Sequence, residues 1–196
     1  MGAILLDIIK SIDISLFRFI NCDMHNKLLD FIMPIITTSE YWRVPMLIGY
    51  IVLAILGHKK GRETFILTLL AVILSDWMTG HVLKPAFHRL RPFEILQGVN
   101  LLAKAYADSF PSAHASNMFT MAFVMSYIWR KPCVVGISFA AAVIVGFSRI
   151  YVGVHFPGDV FAGAITAVFY SIAAIYFYKT IILAHQLIFS KRNNVT

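Results

Sequence analysis

The sequence predicts an all-α, polytopic membrane helical bundle of about five to six transmembrane helices, with an amphipathic interfacial helix at its N-terminus. Three observations predict it. Of the 196 residues, 59% are hydrophobic and only 14% are charged, against roughly 25% charged in an ordinary soluble domain. Mean hydropathy is +0.74. Apolar runs approaching the ~20 residues that a bilayer core requires recur between short basic clusters. A soluble domain of this size could not bury so much apolar surface, and the length suits one domain over residues 1–196.

Residues 1–38 are expected to form an amphipathic N-terminal segment, of which 1–22 make a helix lying in the interface. Ile4, Leu5, Ile8, Ile9, Ile12, Leu16 and Phe17 recur at helical spacing, interrupted by Asp7, Lys10, Asp13 and Arg18, the pattern of a helix lying on a membrane. An uninterrupted apolar core with a cleavage site, as in a signal peptide, is not evident. Residues 27–38 form a second short apolar piece containing Pro34. Spans are expected at 43–57, 64–83, 113–129, 133–147 and about 159–184. The third ends in Trp129-Arg130-Lys131-Pro132. A polar loop from Lys84 to about Phe110 and a short one from Ser148 to Gly158 connect them.

Counting spans puts Lys59, Lys60, Arg62, Arg130, Lys131, Lys191 and Arg192 on one side, which the excess of Lys and Arg makes cytoplasmic. The loops 84–112 and 148–158 then share the outer side, periplasmic or extracellular. The net charge of +7 sits in clusters between apolar runs, which fit phosphate headgroups and membrane orientation, not nucleic acid. Cys22 and Cys133 fall near opposite faces and are expected to be unpaired. No Cys/His spacing for a metal is present, and no cofactor or obligate protein partner is expected. Tyr41, Trp42, Trp77 and Trp129 read as an interfacial aromatic belt. Asp76, inside a span, is expected either to pair with a neighbouring helix or to line a cavity.

Three polar clusters fall at span ends on the outer side: Lys84-Pro-Ala-Phe-His88-Arg89-Leu-Arg91-Pro92, Pro111-Ser112-Ala113-His114, and Ser148-Arg149 through His155 to Asp159. Their chemistry suits phosphoryl transfer, which needs fixed donors around the several charged oxygens of the group in flight. Lys84, Arg91 and Arg149 can supply charge, the arginines bidentately. Ser112 opens a helix whose free first-turn amides bind anions. One of His114 and His155 can attack phosphorus while the other protonates the leaving oxygen. Asp159 is spaced to accept a hydrogen bond from His155 and fix its tautomer. His88 and Arg89 are candidates for contact with a substrate headgroup, and Lys104 and Asp108 read as loop residues without a role.

Together these clusters resemble the signature of the type-2 phosphatidic acid phosphatase superfamily: K-x6-RP, PSGH and SR-x5-H-x3-D. The likeness covers about 84–159 by motif. It implies a metal-independent lipid phosphatase or diphosphatase with a phosphohistidine formed on His155 and oriented by Asp159. By the same resemblance His114 would serve as acid and then base, and Lys84, Arg91, Ser112, Arg149 and the amide of residue 113 would hold the phosphate. One departure is Ala113, where the pattern has Gly: the amide survives, but a methyl group restricts close approach.

The N-terminal stretches Leu16-Phe-Arg-Phe-Ile-Asn21, Leu28-Leu-Asp30 and Met33 resemble bacterial inner-membrane members of that superfamily. They imply lipid A 1-phosphate or undecaprenyl diphosphate as substrate, with phosphatidylglycerol phosphate or phosphatidic acid as the alternative. A non-catalytic lipid-binding or transport protein is the remaining reading, against which His114, His155, Asp159 and both arginines all stand intact.

Overall fold

A computed structural model describes residues 2–193; the side chains of Ala3, of His185 and of residues 187–193, Lys191 and Arg192 included, lie outside the described ones. Its regular elements are all helical: α1 (Gly2–Arg18), α2 (Lys27–Thr37), α3 (Ser39–Leu56), α4 (His58–Met78), two short helices α5 (Lys84–Phe87) and α6 (Pro92–Ile95), α7 (Ala113–Trp129), α8 (Pro132–Tyr151) and α9 (Pro157–Asn193). Four stretches are long and apolar enough to cross a bilayer: Ser39–Leu56, His58–Ile95, Pro132–Tyr151 and Pro157–Ala184. At 17 residues, α7 is about 26 Å long at 1.5 Å per residue. It stands at the centre of the bundle, packed on α4, α8 and α9.

The core of the bundle is a column of Leu67, Ala71, Val124, Ile128 and Ala174 from α4, α7 and α9. Beside it runs a strip of small polar groups. Ser75 hydrogen-bonds the hydroxyl of Ser116 at 2.9 Å and donates to Asn117 at 2.7 Å, and Ser116 meets Thr166 at 3.3 Å. Asn117 also donates to Asp76 at 3.1 Å, so Asp76 takes the first of its two expected roles. Hydroxyls and amides joined this way hold helices together in a medium that offers no hydrophobic drive between them. Outward faces are apolar instead: Ile48, Ile55, Ile73, Ile137, Phe169 and Tyr176 are all exposed.

Two boundaries differ from the sequence expectation. The helix expected at 64–83 begins earlier, at His58: α3 and α4 are joined through Gly57 alone, and Lys59, Lys60 and Arg62 lie in the first turns of α4. Likewise α3 begins at Ser39, because Thr38 already serves as its N-cap in an extended conformation. The indole N–H of Trp129 donates to the Thr64 hydroxyl at 3.0 Å, tying α7 to α4. Cys22 and Cys133 are free thiols, as expected.

The N-terminal segment folds as an amphipathic helix. Ile4, Leu5, Ile8, Ile9, Ile12 and Leu16 point outward, while Asp13 and Phe17 are buried against the bundle. Asn21, fully buried just beyond α1, donates to the carbonyls of Asn100 (2.8 Å) and Tyr151 (2.7 Å) and accepts from the Asn100 amide (2.9 Å). Tyr151 donates to Asp30 at 2.7 Å and accepts from the Asn26 amide at 3.2 Å. These bonds fix α1, α2, the long outer loop and the end of α8 relative to one another. Asn21→Ala strands three buried backbone groups at ~1–3 kcal/mol each. A loss of roughly 2–4 kcal/mol, after partial rehydration, is expected as a lower melting temperature in detergent.

Candidate active site

Three helix ends meet at one end of the bundle. Arg149 is carried by the last turn of α8. The chain then turns at Gly153, whose φ of +84° suits a residue without Cβ; a Cβ there would stand 2.8 Å from the Asn100 carbonyl oxygen. This turn delivers His155, which is 2% exposed. Pro157 starts α9, placing Asp159 in its first turn. Opposite, Ser112 caps α7, so that Ala113 and His114 occupy the first turn of that helix. The two helix starts approach closely because residue 163 is glycine: a Cβ there would lie 2.7 Å from the Ser112 carbonyl oxygen.

Between these ends lies a cavity of about 610 Å³. Lys84, Arg91, Ala113, His114, Arg149 and His155 all line it, so six of the ten residues singled out in the sequence converge on one space. Of the other four, Ser112 and Asp159 sit behind the wall. The Ser112 hydroxyl accepts from the Ala115 amide at 3.5 Å, and its own amide donates to the Asp159 carbonyl at 3.0 Å. His88 and Arg89 do not line the cavity. His88 is exposed and meets Asp108 at 3.2 Å. The Arg89 guanidinium is occupied by Asp159 at 2.7 Å and Asp13 at 2.6 Å.

The imidazole of His155 is held from both sides. Nδ1 lies 3.3 Å from the Ser109 hydroxyl and 3.5 Å from Oδ2 of Asp159. Asp159, with no exposed surface, accepts in turn from Ser109 (2.6 Å) and from the Phe156 amide (2.9 Å). Placing the proton on Nδ1, toward these acceptors, leaves the Nε2 lone pair free. Nε2 lies 3.4 Å from Nη1 of Arg91, at the cavity wall. Burial pushes the His155 imidazole down to about 3; the bond to Asp159 opposes that shift, and the nearby Arg149 and Arg91 reinforce it. The ring is therefore neutral across the physiological range.

The cations are held differently. Arg91 donates to the carbonyls of Tyr106 (2.9 Å), Ala107 (2.8 Å) and Val154 (2.7 Å), and Lys84 to that of Asp108. Arg149 donates to the Thr37 hydroxyl at 2.5 Å, but its buried Nε has no partner. A guanidinium is a strong donor, and leaving a buried N–H unpaired is costly. Together, three buried or nearly buried cations lining one cavity form a receptor for a multivalent anion.

Several contributors were absent from the sequence reading. Ser109 carries no spacing signal, yet it bridges His155 and Asp159. Thr37, Glu40 and Arg43, where α2 ends and α3 begins, line the cavity, as does Lys104, read from sequence as a plain loop residue.

Residues 65–183 match the model of the PAP2 superfamily. The chain belongs to the PAP2 superfamily. It is 30% identical over 169 residues to the lipid A 4'-phosphatase of Bacteroides thetaiotaomicron, covering 82% of this chain and 74% of that one. It is 31% identical over 157 residues to the undecaprenyl-diphosphatase of Sulfolobus acidocaldarius, covering 77% and 71%. The crystal structure of Aquifex aeolicus LpxE superimposes with a TM-score of 0.70 at 31% identity, covering 83% of this PAP2 chain and 94% of that one. This PAP2 protein is thus a phosphatase built into a multi-pass membrane bundle.

The state of His155 gives a direct prediction. In the ligand-free protein its ring nitrogens, followed by 15N NMR, should show no titration between pH 8 and pH 5, where an ordinary histidine titrates near ~6.5. The unfolded chain takes up this proton below ~6.5 and the folded chain does not until about 3. Stability from this residue therefore falls as pH drops through that window.

Proposed function

We propose that this PAP2 protein hydrolyses the phosphate or diphosphate of a membrane lipid at the outer leaflet, through a phosphohistidine on His155. The observation that carries the reading is the single cavity in which a neutral, oriented imidazole and His114 face Lys84, Arg91 and Arg149. The phosphoryl oxygens accept from the Arg149 guanidinium at the cavity wall. Arg91 and Lys84, already partly held by carbonyls, add fixed charge without needing to reorganise.

The steps balance as follows. Nε2 of His155 attacks phosphorus and forms a P–N bond while the bond to the leaving oxygen breaks. His114, protonated once the phosphate's negative charge fills the cavity, gives that oxygen its proton, releasing the alcohol or the lipid monophosphate. Positive charge arising on the ring is stabilised through Nδ1 by Asp159. Water then enters, His114 takes its proton, oxygen attacks phosphorus, and the P–N electron pair returns to Nε2. Inorganic phosphate leaves. None of these steps requires a metal.

The lipid assignment is supported by the setting and by the relatives' names. The cavity opens at the end of an apolar bundle whose α1 presents a row of isoleucines and leucines outward, a surface suited to the interface. The relatives are named for lipid A and for undecaprenyl diphosphate, which supports a phosphate on a large lipid carrier. Phosphatidylglycerol phosphate or phosphatidic acid is the second reading, since a further relative, from Bacillus subtilis, is named phosphatidylglycerophosphatase B. The distribution of Lys and Arg supports a bacterial inner membrane with the cavity facing the periplasm.

Purified protein offered phosphatidic acid, phosphatidylglycerol phosphate, undecaprenyl diphosphate and lipid A is expected to release inorganic phosphate from at least one, with EDTA present. His155→Ala should lower kcat at least ~10³-fold and abolish an acid-labile phosphoenzyme; normal turnover would overturn the nucleophile assignment. Arg149→Ala should cost ~10²–10³-fold, and Lys104→Ala less than about tenfold, since an exposed mouth lysine acts through solvent-screened charge. Equal losses would place the phosphate elsewhere. A reporter fused to the C-terminus is expected to signal from the cytoplasm.

A further inference from the structure

The N-terminal helix reaches the catalytic dyad through a chain of charges that is half-buried at Arg89 and buried at both carboxylates. Arg89, between α5 and α6, donates from Nη1 to Oδ1 of Asp159 at 2.7 Å and from Nη2 to Oδ2 of Asp13 at 2.6 Å. Asp13, on α1, is 7% exposed, and its other oxygen accepts the Gly158 amide at 2.7 Å. The neighbour of Asp159 is thus pinned by the same carboxylate that holds Arg89. The Arg89 guanidinium also lies 4.4 Å over the Phe156 ring, which packs on Phe17 of α1 at 5.4 Å between centroids. Phe156 itself supplies the amide that binds Oδ2 of Asp159.

We infer that Arg89 and Asp13 are positioning residues that lock the Asp159 carboxylate in the rotamer that orients His155, making α1 part of the active site. The inference rests on His155 being the nucleophile. The division of labour on Asp159 supports it: Oδ1 is taken by Arg89, while Oδ2 takes Ser109 and the Phe156 amide and faces Nδ1 of His155. A carboxylate with both oxygens saturated cannot rotate away from the ring. Removing Arg89 leaves Oδ1 buried without a partner, and the carboxylate turns to find one. A planar guanidinium can bridge two carboxylates in fixed geometry, which a lysine ammonium cannot reproduce. With both ends of its fork spent on Asp13 and Asp159, Arg89 is not a donor to substrate. Asp13 is otherwise hard to explain: a carboxylate on the buried side of an interfacial helix is costly unless paired.

The test is a double-mutant cycle in the full-length enzyme, assayed with whichever lipid phosphate of the panel above it hydrolyses fastest. Arg89→Ala is expected to lower kcat about 30- to 100-fold with KM within twofold, and Asp13→Asn about tenfold with the same split. Arg89→Lys should recover only part of the loss, and millimolar guanidinium should partly restore Arg89→Ala. In an Asp159→Asn background, where the locked carboxylate is gone, either change should cost less than twofold more. A raised KM at unchanged kcat would instead make Arg89 a headgroup ligand. The same fold loss in the Asp159→Asn background would make the bridge a scaffold unconnected with the dyad. Either result overturns the inference. Asp13→Asn is isosteric and remote from the cavity, so it carries the test if Arg89→Ala does not fold. His155→Ala, run alongside, separates the two levels. Turnover surviving there removes the nucleophile reading. Loss there, with additive effects of Arg89 and Asp159, removes only the positioning role.

Discussion

Arg91 organises the outer end of this molecule through its backbone acceptors. A guanidinium taken out of water loses several kcal/mol of solvation unless its donors are met. Here the carbonyls of Tyr106, Ala107 and Val154 meet them, so the long loop between α6 and α7 must fold down onto Arg91. The next residue after Val154 is His155. One side chain therefore decides both where the loop closes over the cavity and where His155 stands. Its Nη1 also lies 3.4 Å from Nε2 of His155, so the same group that shapes the loop sets positive charge beside that imidazole.

Below this layer the bundle is stiffened by small polar contacts. Ser75, Ser116, Asn117 and Thr166 join α4, α7 and α9 immediately beneath the Ser112–His114 turn. On the proposed function this helix start must not drift, because a donor displaced by an ångström loses much of its effect on a transition state. The glycine at 163 serves the same end by letting α9 approach the capped start of α7. Packing and polar satisfaction act together here, with hydroxyls anchoring what lipid-facing isoleucines and phenylalanines cannot.

Much of the architecture was legible in the sequence because bilayer thickness is a strong constraint. Apolar runs of the right length located the spans, and their alternation put all three motifs on one face. Residues 113–129 fall exactly where expected because Ser112 is a strong cap and Arg130, with a φ of +49°, a firm stop. What escaped were side chains that act across the chain at long separation. Asp13 and Asp159 are joined only through Arg89, and no periodicity reports such a link. On α1, Asp13 looked like one more solvated charge among Asp7 and Lys10, although it alone of the three is turned inward. Ser109 sits in an irregular stretch, where a hydroxyl carries no pattern. The start of α4 at His58 lies six residues ahead of the apolar run at 64–83, because charge hides a helical turn from hydropathy and a one-residue joint at Gly57 leaves the basic stretch helical.

The placement of α3 has a bearing on how this architecture diversifies. That helix contributes no buried residue and rests mainly on α4, yet its first turn supplies Glu40 and Arg43 to the rim of the cavity. The parts that perform the reaction are fixed by the core, while the part that frames the entrance is nearly free of it. Selection can therefore redraw the entrance at little cost to folding, keeping the reactive floor intact. Such modularity lets one catalytic plan serve lipids of very different bulk.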